Sequence, residues 1–257
     1  MASPMHQFEI QPVLALPTVN IPGLGMVDLS INNSILSMLI AAGVVIVLMT
    51  LATARAAVVP GRVQVIGEGV FGYIDDLATS IIGHEGRSFF PFVFTLFLFI
   101  LTMNFLGLFL MFTATAQLAV TATLAAMTIL LVLVVGFVRN GANMYKLFVP
   151  AGVPWYMLIL VTPIEIISFL LRPVTLALRL FGNMLGGHVA LTVFAGFVAL
   201  AFGGGIGLLG IPVATLSLGG IVALTALEFL VAFLQAFVFA VLTCVYLNDV
   251  VNLGHHH

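Results

Sequence analysis

Charged side chains are scarce in this sequence of 257 residues, where seven Lys or Arg and nine Asp or Glu make up 6% of the chain. Soluble domains carry about 25% charged residues, so a chain that is 62% hydrophobic cannot present an ordinary hydrated surface. The formal net charge of -2 excludes the basic surface that nucleic-acid binding requires. The composition therefore predicts an integral membrane protein that does not bind nucleic acid.

Cysteine and N-terminal basic residues are also lacking. The single cysteine, Cys244, lies in an apolar run, which excludes an internal disulfide and a cysteine-rich metal site. No Lys or Arg precedes Arg55, so the N-terminus lacks the positive region of a signal peptide. Residues 1–30 contain four prolines, and we expect them to form an irregular arm. Residues 255–257 are all His, either native or the remnant of a tag, and we assign them no function.

Long apolar blocks dominate the rest of the sequence, and a membrane-spanning helix needs about 20 such residues. The first block, residues 31–54, predicts one spanning helix. Residues 89–138 contain two blocks separated by the polar stretch TATAQ, which predicts a helical hairpin. Between them, residues 61–87 carry charged side chains among apolar ones at helical spacing, which predicts an amphipathic helix on the membrane surface.

The last two blocks, which together occupy residues 156–251, are too long for perpendicular spans. As single helices they would measure about 70 Å and about 60 Å, against a hydrocarbon core of about 30 Å. Each block could be two short helices, with Pro163 and Pro173 as breaks, or one steeply tilted helix. Because no polar turn divides either block, we expect two long, strongly tilted helices that pack as a hairpin around the turn GGGIGLLGIP.

Basic residues fall in two of the connections between these blocks. Arg55, Arg62 and Arg87 lie in one, and Arg139 and Lys146 in another, whereas the TATAQ and GGGIG turns have none. With five crossings, the positive-inside rule places the N-terminus outside and the C-terminus in the cytoplasm. The expected fold class is an all-α membrane protein, a single integral domain of about five embedded helices plus one surface helix.

Ionisable side chains lie inside both long blocks. Glu165, Arg172 and Arg179 are seven residues apart each time, and seven helical steps of about 100° return to nearly the same face. Glu228 and Gln235 are also seven residues apart, so they share a face of the last block. The sequence thus predicts one stripe with a carboxylate and two guanidinium groups, and a second stripe with a carboxylate and an amide.

A charge inside a membrane is tolerated only beside water, protein or a partner. A central Arg costs about 2.5 to 3.5 kcal/mol on translocon scales, and Arg keeps its proton at any working pH. Arg179 would therefore attract a carboxylate and repel a free proton. His188 and Glu228, by contrast, can gain and lose protons. The residues alone indicate a proton or cation pathway through a helical membrane protein.

The segment RLFGNMLGGH, residues 179–188, resembles subunit a of the F-type ATP synthases. The flanking stretches TPIEIISFLLRPVTLAL and EFLVAFLQAFVFAVL support the resemblance, as does FPFVFTLFLFILTMNFLGL with Asn104. The resemblance implies a bacterial inner-membrane protein whose last two helices lie nearly parallel to the membrane plane against a ring of c subunits. It also implies peripheral-stalk b subunits and lipid as partners, protons as the transported ion, no cofactor or metal, and no catalytic activity in this subunit.

The resemblance also implies roles for individual residues. Arg179 matches an essential arginine that faces the carboxylate of each passing c subunit and separates two half-channels. Gln235 matches the glutamine that faces this arginine, and Asn183 matches a polar neighbour one turn along. His188 and Glu228 match the pair that lines the outer half-channel, here with histidine first in the sequence.

Four further polar or charged residues and two other classes of function also follow from the sequence. Glu165 and Arg172 match positions near the cytoplasmic half-channel, but they could instead form an ion pair near the interface. Asn104 and Gln117 are of a type that often links helices by hydrogen bonds. A secondary transporter could use the stripe around Arg179 to bind an anion at the midplane, and a purely structural membrane anchor is the third class of function.

Overall fold

The computed structural model describes residues 12–14, 19–21, 25–27, 30–54, 61–110, 114–149, 154–203 and 210–253. Its helices are α1 (Asn33–Thr53), α2 (Arg62–Ile82), α3 (Phe90–Leu110), α4 (Leu118–Asn140), α5 (Trp155–Phe202) and α6 (Gly210–Val251). In the described ranges, five of them, all except α2, are long and apolar enough to cross a membrane. The predicted fold class, an all-α membrane protein with one additional amphipathic helix, is confirmed.

Two compact units, each assembled from three stretches of chain, divide the protein. The first contains residues 1–44, 101–117 and 180–235. The second contains residues 45–100, 118–179 and 236–257.

The N-terminal arm contributes short strands to the first unit. Strand β1 (Pro12–Leu14) pairs antiparallel with β4 (Ile31–Asn32), and β2 (Val19–Ile21) pairs antiparallel with β3 (Gly25–Val27). The sequence predicts an irregular arm, whereas these four short segments form paired strands. Pro12 is tolerated because it stands at the start of its strand, where a missing N–H group breaks no continuous ladder.

Polar side chains connect helices in the core of the first unit. Asn104 on α3 is fully buried, and its Nδ2 donates a hydrogen bond of 3.1 Å to the carbonyl oxygen of Ala232 on α6. Its Oδ1 accepts a hydrogen bond of 2.9 Å from the hydroxyl of Thr115. Ser34 on α1 donates to Gln117 Oε1. The bond to Ala232 joins α3 to α6, and the other two bonds tie α3 and α1 to residues 115 and 117, which precede α4; polar side chains of this type link helices in membranes.

The surface helix α2 is held in the second unit by aromatic contacts and ends at a glycine. The ring of Phe71 packs against Phe90 and Phe94 of α3, with centroid distances of 4.5 Å and 5.7 Å. Gly83 has a φ of 85°, a conformation that glycine adopts without strain, and its N–H donates to Thr79. The chain can therefore leave α2 and enter the short 3₁₀ segment His84–Ser88 that precedes α3.

Helices α5 and α6 run uninterrupted for 48 and 42 residues, so each long block is one helix and not two. Pro163 and Pro173 both lie inside α5, where they do not end the helix because neighbouring groups in membrane proteins can satisfy the freed backbone carbonyls. In the first unit, Gly220 of α6 lies against the ring of Phe194 of α5. This contact shows that α5 and α6 pack against each other in the first unit, as the predicted hairpin requires. The glycine-rich turn falls at residues 204–209, outside the described residues.

Replacing Asn104 by Ala should destabilise the protein, because the change removes one bond from Asn104 and leaves the Thr115 hydroxyl without its acceptor. We expect the free energy of unfolding to fall by about 1 to 3 kcal/mol, since interhelical hydrogen bonds in membranes contribute about 0.6 to 1.7 kcal/mol each. Unfolding by SDS in mixed micelles measures this difference. Asn143→Ala is the control, since Asn143 is exposed; equal stability of the two variants would contradict the role of Asn104.

Candidate functional site

Arg179 on α5 is an exposed cation on an apolar surface. Leu171, Val174 and Leu178 of the same helix in the second unit are each about half exposed, so the exposed surface of α5 in this unit is largely aliphatic. Among the described residues, Arg179 has no ion pair within 4.0 Å and no hydrogen bond from its side chain. The described part of the chain therefore supplies no carboxylate to neutralise it.

Arg172, two helical turns before Arg179, is neutralised within the second unit. Its Nη1 lies 2.6 Å from Asp249 Oδ2 of α6. The guanidinium carbon also lies 5.5 Å from the ring centroid of Phe169 and 5.0 Å from that of Tyr246, distances at which a cation is attracted to an aromatic face. A guanidinium held by a carboxylate and two rings is fixed in position.

Asp249 is the functional candidate that the sequence reasoning missed. The alternative considered from the sequence paired Arg172 with Glu165, but the partner of Arg172 is Asp249. Glu165 is half-buried and forms no ion pair with any described residue. A signal for Asp249 was present, because it follows Gln235 by 14 residues, twice the seven-residue spacing of Glu228 and Gln235, and so belongs to the same stripe of α6.

Asn183 and Gln235 meet across α5 and α6 in the first unit. Asn183 Nδ2 donates a hydrogen bond of 2.9 Å to Gln235 Oε1. Gln235 is 3% exposed, and its Nε2 is buried without a hydrogen-bond acceptor among the described residues, whereas Asn183 is exposed. Two of the predicted gate residues are thus brought together, and the bond orients the amide of Gln235 with its N–H groups still unused.

Glu228 is buried on α6 against a glycine of α5. Its side chain is 9% exposed, and both carboxylate oxygens are buried without a hydrogen-bond donor among the described residues. A Cβ placed on Gly187 would lie 3.1 Å from both Cγ and Cδ of Glu228 and would collide with Oε1. The missing side chain of Gly187 therefore creates the space that the carboxyl group occupies.

His188 follows Gly187 directly and is half-buried. Because Gly187 lies against Glu228, the turn of α5 that carries the imidazole lies beside the carboxylate in the first unit. Glu228 and His188 could be predicted from the sequence, but the role of Gly187, which permits their arrangement, could not. Among the described residues, no three His, Cys, Asp or Glu side chains are grouped in a way that could hold a metal ion.

Comparison with known proteins gives a consistent match over nearly the whole chain. The family described as ATP synthase A chain matches residues 35–248. ATP synthase subunit a of Hyphomonas neptunium is 49% identical over 254 residues, which cover 98% of this chain and 97% of the relative. The subunits a of Rhizobium johnstonii and Rhodopseudomonas palustris are 48% and 46% identical over 256 residues, covering 99% of this chain and 99% and 100% of the relatives.

The Arg172–Asp249 ion pair can be tested by a double-mutant cycle. Arg172→Gln and Asp249→Asn should each lower the free energy of unfolding, and the double variant should lose less than the sum of the two. We expect a coupling energy of about 1 kcal/mol, because the pair is only partly exposed and has good geometry. Unfolding in SDS measures it. Arg62→Gln combined with Asp249→Asn is the control and should be additive; additivity in the Arg172 cycle would show that the pair contributes nothing.

Proposed function

The chain belongs to the ATP synthase A chain family, and from this premise we propose that it is the stationary subunit that carries protons past a rotating ring of c subunits. It is a multi-pass bacterial membrane protein of the ATP synthase complex and serves ATP synthesis through ion transport. In the proposal, ATP is made elsewhere in the complex. This subunit contributes two half-channels and the arginine that separates them.

The observation that carries the proposal is the exposure of Arg179 on an apolar surface without an ion pair in the described chain. A permanent cation in the membrane needs a partner or water. A carboxylate presented by a neighbouring c subunit would supply the partner. Each c-subunit carboxylate that has lost its proton would be attracted to Arg179, and a free proton would be repelled. The arginine would thereby prevent protons from passing directly between the two half-channels.

The outer half-channel is proposed to run past Glu228 and His188. Burying an unpartnered carboxyl group is unfavourable, so Glu228 is suited to accept a proton arriving from outside and to pass it on. The neighbouring imidazole, one residue after Gly187, is a second group that can exchange protons at physiological pH. Gln235, oriented by Asn183, is proposed to face the arginine gate from α6.

The cytoplasmic half-channel is proposed to lie near Glu165. Glu165 makes no ion pair among the described residues, so its carboxylate is available to accept protons released from the ring. Arg172 is already bound to Asp249, and we propose that this pair holds the end of α6 against α5 near this route. An anion-binding transporter is less well supported, because its site would need both Arg172 and Arg179 unpaired.

The direction of transport follows the proposed orientation. With the N-terminus outside and the basic connections in the cytoplasm, protons enter past Glu228 and leave past Glu165. Each proton that crosses down the membrane potential releases about 2.3 kcal/mol per 100 mV. Several protons must therefore be combined through rotation of the ring before one ATP can be made.

Arg179→Ala should abolish ATP synthesis driven by a proton gradient, because the ring carboxylate then lacks its cation and protons can pass between the half-channels. Inverted membrane vesicles that contain the whole complex would show no ATP-driven proton pumping and an increased passive proton leak. Arg62→Ala removes an exposed arginine at the start of α2 and is expected to leave both rates unchanged. Full proton pumping by the Arg179→Ala complex would contradict the proposed gate.

Gly187→Ala should displace the carboxyl group of Glu228. Overpacking costs about 1 to 3 kcal/mol, so we expect proton-driven ATP synthesis in membrane vesicles to fall by about five- to a hundred-fold. Gly43→Ala is the control, because a Cβ at Gly43 on α1 meets no atom within 4 Å. Combining Gly187→Ala with the shorter side chain of Glu228→Asp should restore part of the loss. A fully active Gly187→Ala complex would count against the role of this contact.

A further inference from the structure

A cleft opens in the second unit between the end of α1, the first turns of α2 and the start of α3. Its volume is about 150 Å³, which is room for a segment of an acyl chain and less than the 300 to 1,000 Å³ typical of sites that enclose a whole small molecule. Its walls are apolar and are formed by Met49, Ala52, Phe71 and Phe94. Its mouth is polar and is formed by Gln64 and Glu68. The proton route proposed above includes no part of this cleft.

The helices that form the cleft touch at one point and diverge beside it. A Cβ on Gly67 would lie 2.9 Å from the Cβ of Ala52, so α1 and α2 approach closely only because this position is a glycine. One turn further along α2, the ring of Phe71 turns towards α3 and packs 5.7 Å from the ring of Phe94. The space beside these two contacts is lined mainly by the apolar side chains of Met49, Ala52, Phe71 and Phe94.

The mouth of the cleft carries one negative charge. Gln64 Nε2 donates a hydrogen bond of 2.7 Å to Glu68 Oε1, and this bond orients the carboxylate. Glu68 is exposed and forms no ion pair with any described residue. The mouth lies between the end of spanning helix α1 and the start of the amphipathic helix α2. At the end of a spanning helix, lipid headgroups are expected to meet water.

We propose that this cleft binds a glycerophospholipid whose headgroup ends in a primary ammonium group. The ammonium donates hydrogen bonds to the carboxylate of Glu68, and an acyl chain lies along Met49, Phe71 and Phe94. The carboxylate is the one charged group that lines the cleft among the described residues, so a zwitterionic headgroup that ends in a cation complements it, and a headgroup that carries only the phosphate charge is repelled. A trimethylammonium headgroup carries the same charge but has no N–H donor and is bulkier.

The proposal is tested with the purified full-length chain in detergent, titrated separately with dioleoyl phosphatidylethanolamine, phosphatidylcholine and phosphatidylglycerol. Bound lipid is counted by native mass spectrometry. We expect the ethanolamine lipid to bind about two- to five-fold more tightly than the choline lipid, as an accessible ion pair allows, and the glycerol lipid to bind most weakly. Equal binding of the three lipids would overturn the proposal.

Variants separate the headgroup from the acyl chain. Glu68→Gln should abolish the preference for the ethanolamine lipid, whereas Asp76→Asn, which removes an exposed acid elsewhere on α2, should leave it unchanged. Ala52→Leu should fill the cleft and weaken binding of the ethanolamine and choline lipids alike. If Glu68→Gln keeps the preference, or if Ala52→Leu binds both lipids as well as the unmodified chain does, the cleft is not the site. Neither result bears on Arg179, so the lipid proposal can fail while the proton route stands.

Discussion

The free-energy cost of an unpaired polar or charged group inside a membrane is the constraint on which the rest of this structure depends. Several polar side chains in the helices find hydrogen-bond or ion-pair partners inside the chain. Asn104 is bonded to Thr115 and to the backbone of α6, and Arg172 is bound by Asp249 and two aromatic rings. Because these groups are satisfied inside the chain, they fix the positions of the helices and have little capacity left for binding anything else.

Some groups are not satisfied by any partner within the described chain, and Glu228 and Arg179 are the two of them that matter most to the proposed proton route. The carboxyl group of Glu228 is buried without a donor, and the guanidinium group of Arg179 is exposed without an acceptor. Both are charged types that a membrane protein does not retain without a reason, since each would cost several kcal/mol if nothing ever satisfied it. In the proposed function their partners come from outside the subunit, because a transported proton for Glu228 and a carboxylate of a moving subunit for Arg179 fit the two chemistries.

Much of the fold could be predicted from the sequence, because the length of an apolar run and the spacing of its charges are local properties. The two long helices were predicted despite Pro163 and Pro173, since no polar turn divided either block. The Arg172–Asp249 pair was missed because its residues are 77 positions apart and only packing brings them together. The role of Gly187 was missed for a related reason: a glycine in a membrane helix shows its purpose only when its neighbour, here Glu228, is seen.

The contrast between Arg172 and Arg179 explains why one helix carries two arginines on a single stripe. If both were paired within the chain, α5 would be anchored but could not respond to a passing carboxylate. If neither were paired, the helix would have two strong sites for anions, and a ring carboxylate could be held at the wrong one. In the proposed mechanism, Asp249 occupies Arg172, so Arg179 is the guanidinium of this stripe that remains to attract the ring, and it sets the place where a carboxylate is captured.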